Sequence, residues 1–133
     1  MMISLGRLEA IHDAWRAAAN LAEPGVPRLT FARGMKALRP ELENFHEERD
    51  RITLECAVRD VSGALVPFHD DEEQLVPNKC HIADAERYAH LMRALHAQAV
   101  EVSLPALSDD LLCHTSADAD ALAILLDFVT PCP

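Results

Sequence analysis

Two Cys-His pairs, Cys80-His81 and Cys113-His114, carry the side chains of this sequence best suited to holding a metal. Thiolate and imidazole are the usual zinc donors, and four of them would complete a tetrahedral site. The spacing argues against it. Neighbouring side chains on a strand point to opposite faces, so Cys80 and His81 reach one ion only if a turn separates them, whereas structural sites space each ligand pair by two to four residues. Adjacent residues of ordinary structural use are the simpler reading, and neither a metal nor another cofactor is expected. His90 and His96 fall on different faces of one predicted helix, and His12 and His46 belong to different helices. The four cysteines form no CxxC and the chain shows no export signal, so reduced thiols without disulfides are expected.

Catalysis requires a positioned nucleophile and base. The sequence has no Gly-rich phosphate loop, no G-x-S-x-G elbow and no H-E-x-x-H pair, so an enzyme is not expected. The remaining chemistry is charge. Twelve Lys and Arg stand against twenty-two Asp and Glu, a formal charge of −10, and such a surface repels phosphate and anionic lipid. Direct binding to nucleic acid or membrane is therefore not expected. A basic protein partner fits, including one whose own groove holds nucleic acid; the alternative is that the charge merely maintains solubility. The candidate contacts are Asp70, Asp71, Glu72 and Glu73 in the segment HDDEEQ, with Glu43, Glu47, Asp109 and Asp110 elsewhere. For each, a solvated loop or helix face is the competing reading.

The elements that must carry these residues read as one mainly helical α+β domain over residues 1–133. Leu8, Ile11, Trp15, Ala18 and Ala22 repeat at three- and four-residue spacing after Ser4, predicting a helix over about 5–22 that stops before Pro24-Gly25. Phe31, Met35, Leu38, Leu42, Phe45, Arg49, Ile52 and Cys56 then form a heptad seam with one polar member, Arg49. The seam keeps its phase across Pro40, which predicts one long helix over about 28–58, kinked near Lys36–Pro40; two helices breaking at Arg39 is the alternative. Arg49 must snorkel out or pair with an acid, and its own helix presents none at contact spacing, so a partner from another segment is expected. Cys56 reads as core.

After a turn at Asp60-Val61-Ser62-Gly63, a small irregular hairpin is expected from Ala64–Phe68 with Leu75–Val76 and Cys80–Ile82, its strands kept short or at an edge by Pro67 and Pro77. Asp84 can cap a helix presenting Tyr88, Met92, Leu95 and Ala99. Val100–Leu104 alternates like a half-buried strand and is expected to join the hairpin as its third member. Ser116 or Asp118 can cap a last helix that buries Leu122, Leu125, Leu126 and Val129. The architecture expected is one long kinked helix packed by two or three shorter helices, plus a small two- or three-stranded antiparallel sheet.

In this order of elements, and in the segment built from Leu38, Pro40, Glu41, Leu42, Phe45 and Arg49, the chain resembles a family of small phage and prophage proteins of unknown function that share L-x-P-E-L-x-x-F-x-x-x-R on a long helix. The resemblance spans nearly the whole chain and implies a phage or mobile-element gene expressed in a bacterial cytoplasm. It supplies no activity. Two departures stand out: the strong acidity, and Cys80-His81 where an aromatic or aliphatic strand residue belongs. A cytoplasmic location is also expected from the sequence, which lacks an apolar run of about 20 residues and has Glu9 and Asp13 where a signal peptide would be apolar.

Together these readings lead to a non-enzymatic phage-encoded protein that binds and inhibits a host protein, with a nucleic-acid-handling defence complex as the target class, in the manner of an anti-CRISPR inhibitor. Two alternatives remain open. One is a virion structural or assembly protein of head or tail morphogenesis; the other is a zinc-binding protein acting through the Cys-His pairs. A homo-oligomer is left open.

Overall fold

The computed structural model describes residues 1–69, 75–80 and 82–129, the side chains at 67–69 and 75–80 excepted. The chain is α+β and mainly helical. In order it forms β1 (Met2–Ser4), a 3-10 turn (Leu5–Arg7), α1 (Leu8–Leu21), α2 (Val26–Glu55), β2 (Pro67–His69), β3 (Leu75–Cys80), α3 (Ala85–Ala97), β4 (Ala99–Glu101), α4 (Asp109–Leu112) and α5 (Ala119–Leu126). Two compact units emerge: Met1–Phe45 with His96–Pro133, and His46–Leu95.

The first unit is built on Trp15. Its indole is fully buried and meets Phe31 and Phe128 edge-on, each ring centroid 6.1 Å away. The predicted stripe of α1 is buried at Leu8, Ile11, Trp15, Ala18 and Ala22, and Ala14 and Ala19 widen it, as suits a helix packed on more than one side. One of those neighbours is α5. Gly34, on α2, makes the packing around Trp15 possible. A Cβ built at Gly34 would lie 2.1 Å from Trp15 Cε3, so only a residue without a side chain lets α2 come this close.

The long helix α2 runs unbroken through Pro40, as the continuous seam predicts, and the two-helix alternative is excluded. Burial follows the heptad with a finer rhythm. Phe31, Leu38, Phe45 and Ile52, each seven residues apart, are buried, and so is Cys56, while Met35, Leu42 and Arg49 between them are half-exposed. The seam therefore has a deep row and a marginal row, and Arg49 occupies the marginal one, where a cation can reach water. Its Nε lies 3.7 Å from Asp50 Oδ1, so its own helix supplies one carboxylate. A long guanidinium arm can reach sideways to the next side chain.

The strand expected to extend the hairpin goes elsewhere. β4 pairs antiparallel with β1, matching Ile3 with Val100, and the backbone of Leu5 continues the contact by donating to Gln98 O at 2.8 Å. Val102 is buried between exposed Glu101 and Ser103, as that alternation predicts, but the strand ends at Glu101 and its partner is β1 rather than the hairpin. Ala99, placed on the preceding helix by its spacing, belongs to this strand instead, and α3 ends at Ala97.

In the second unit, β2 and β3 form the expected hairpin, pairing Pro67 with Cys80 and His69 with Leu75 across a shift in register. Single bridges join Ala57 to Ile82 and Arg59 to Leu65, and Ala83 N donates to Cys56 O at 2.7 Å. The Asp60–Gly63 turn is closed by one carboxylate oxygen. Asp60 Oδ1 accepts from Ser62 N at 2.9 Å, Ser62 Oγ at 2.6 Å and Ala64 N at 3.0 Å, while Gly63 takes a φ of 85°. The Ser62 hydroxyl, then the Ala64 and Ser62 amides, hold the Asp60 carboxyl below its ordinary value of 3.8. α3 starts as predicted, with Asp84 Oδ1 accepting from Arg87 N at 3.0 Å.

Candidate functional site

The candidate contacts separate by position. Asp70, Asp71, Glu72 and Glu73 lie outside the described residues. Glu43 and Glu47 stand one turn apart on α2, and both are exposed, as the solvated side of an amphipathic helix should be. Asp109 and Asp110 are exposed in the first turn of α4, next to Ser108, whose hydroxyl accepts from Leu111 N at 3.2 Å. Carboxylates at a helix N-terminus sit at the favourable end of the peptide dipoles, so these two also stabilise the turn they decorate.

Of the two Cys-His pairs, His81 and the Cys80 side chain lie outside the described residues. Cys113 is an exposed free thiol at the C-terminal end of α4, and Cys56 is a free thiol buried in the core. His114 is engaged by two acids, Asp110 four residues before it and Glu23 far away in sequence. Its Nδ1 lies 2.8 Å from Glu23 Oε2, and its Nε2 lies 3.9 Å from Asp110 Oδ2. Glu23 is 91 positions away in sequence and reaches His114 because the backbones join there too: Glu23 N donates to His114 O at 2.8 Å, and Ser116 N donates to Leu21 O at 3.1 Å. The neighbouring Thr115 hydroxyl donates to Ala18 O at 2.9 Å and so helps hold α1.

An imidazole between two carboxylates has the residue types of an acid-base relay. Here both ring contacts face solvent, with the His114 side chain 41% exposed and Asp110 92% exposed, and the surrounding hydrogen bonds tie the end of α1 to the segment before α5. The arrangement is a structural clasp. Among the described residues no group of three or more His, Cys, Asp or Glu side chains is placed to hold a metal ion. Among the same residues no helix is long and apolar enough to cross a membrane. No protein-family model, no curated protein and no solved structure matches the chain.

Proposed function

We propose that this protein is a non-enzymatic, phage-encoded inhibitor that binds a host protein through the host protein's basic surface, a nucleic-acid-handling defence complex being the class of target. The observation that carries this reading is the charge excess of −10, with Glu43, Glu47, Asp109 and Asp110 open to solvent. A cationic groove built for a phosphate backbone is the complement of such a surface, and like charge keeps the inhibitor itself off nucleic acid. The resemblance to phage proteins and the absence of a catalytic motif from the sequence agree with it.

The test is affinity capture from a bacterial lysate with the intact chain and with a variant carrying Lys at Glu43, Glu47, Asp109 and Asp110. Recovery of a basic protein by the wild type, lost in the variant and weakened by salt, supports the reading. Equal recovery by both forms at low and high salt sinks it. A virion assembly role is the second reading, favoured by exposed Leu21, Val26 and Leu29 beside the α1–α2 turn, which are 51%, 72% and 50% accessible. Self-association by light scattering and presence in purified particles would support that role.

A further inference from the structure

Between α1 and α5 runs a groove of about 490 Å³, wholly within the first unit. Its floor is hydrocarbon: Ala10, Ala14 and Ala17 from α1 meet Ala121 and Ile124 from α5, with Ala14 and Ala121 buried at the bottom, Ala17 and Ile124 half-exposed and Ala10 open to solvent. The three α1 alanines recur at steps of four and three, so they line one face over two turns, roughly 10 Å of helix. Side chains this small let another backbone approach to about 8 Å between axes. The rim is polar and acidic. Asp13, Asp118 and Asp120, with the neutral amide of Asn20, stand against one guanidinium, Arg16, which is itself 3.1 Å from Asp13 Oδ1. Asp118 is held in place by capping α5, its Oδ1 accepting from Ala121 N at 2.9 Å.

We infer that this groove seats a basic amphipathic helix of the partner; the inference rests on the reading that the partner is basic. The floor selects a helix. An extended segment would set backbone N–H and C=O groups against alanine methyls that can pair with neither, whereas a helix satisfies those groups internally and presents only side chains. The rim selects the charge: apolar residues of the incoming helix fill the floor while its flanking Lys and Arg meet the three aspartates.

Two synthetic peptides of about 18 residues test this, both made of Leu, Ala, Lys and Arg in the same amounts. One carries its apolar residues at three- and four-residue spacing, and the other is scrambled so that no stripe forms. Titration calorimetry and backbone amide shifts of the wild-type protein are the readouts, at low and at near-physiological salt. The striped peptide is expected to bind more tightly, to shift amides of α1 and α5, and to lose at least about tenfold in affinity against Ala17→Phe, which fills the groove, and against Asp120→Lys. The shifts on wild-type protein decide the location even if Ala17→Phe misfolds. Equal binding of both peptides, with salt sensitivity but no focus on α1 and α5, overturns the groove and leaves the basic partner standing. Failure of both peptides to bind overturns the groove as well and counts against a basic partner.

Discussion

Gly34 is a residue whose role no local pattern discloses. In an ordinary exposed helix, Gly→Ala stabilises by about 1 kcal/mol, because alanine loses less backbone freedom. At Gly34 the added methyl would overlap the Trp15 ring, and overpacking of a core costs about 1–3 kcal/mol, so the sign should reverse. Gly34→Ala is expected to lower unfolding stability in urea and to perturb the fluorescence of Trp15, the one tryptophan of the chain; a more stable variant would show that the contact is not as close as described. Asp60 is the opposite case, since the D-x-x-G turn is visible in sequence and the structure adds only its hydrogen bonds. Its folded pKa is depressed, so the stability it contributes is present above the ordinary carboxyl value of 3.8 and is lost as pH falls through the lower folded value. Asp60→Ala should therefore be less stable than wild type near neutral pH, with the gap closing in acid below 3.8; a gap independent of pH would mean that the charge is not what matters.

Among the elements, α2 was readable because heptad spacing is a local property and its phase passes through Pro40 unchanged. Phe45 is 5% exposed on the deep row, and Phe45→Ala should cost about 3–5 kcal/mol in unfolding free energy. Near-unchanged melting would remove it from the core. Pro40 is exposed, has no N–H to give Lys36 O, and sits in a helix interior, so Pro40→Ala is expected to stabilise by about 1–3 kcal/mol, seen as a higher denaturation midpoint at unchanged slope. What sequence could not disclose is pairing at long range. Val100 alternates like a strand whether it lies beside the hairpin or beside Ile3, and nothing nearby in the chain distinguishes the two. The same limit hid the Glu23–His114 contact, because its members meet only after α1 and the segment before α5 are brought together. Caps, in contrast, are local chemistry, and Asp84 and Asp118 both accept the amides three residues on.

For the whole molecule the governing quantity is net charge, and it acts on association more than on folding. Lys at Glu43, Glu47, Asp109 and Asp110 changes the formal charge by two at each position, taking −10 to −2. All four side chains are exposed, so the fold should tolerate the exchange, although Asp109 and Asp110 give up a favourable helix-end interaction of a few tenths of a kcal/mol each. If a basic partner is captured, the reversal should slow its association by roughly tenfold or more at low salt, and the difference should shrink as salt approaches physiological strength, where the screening length is about 8 Å. Dissociation should change less, because rim charges steer the encounter while desolvated contacts hold the complex. Stopped-flow association at several ionic strengths separates these two effects. A reversal that leaves the association rate and its salt slope unaltered, but accelerates dissociation, would show that these carboxylates are buried contacts of a shape-driven interface and that the charge of the surface as a whole does not guide the partner.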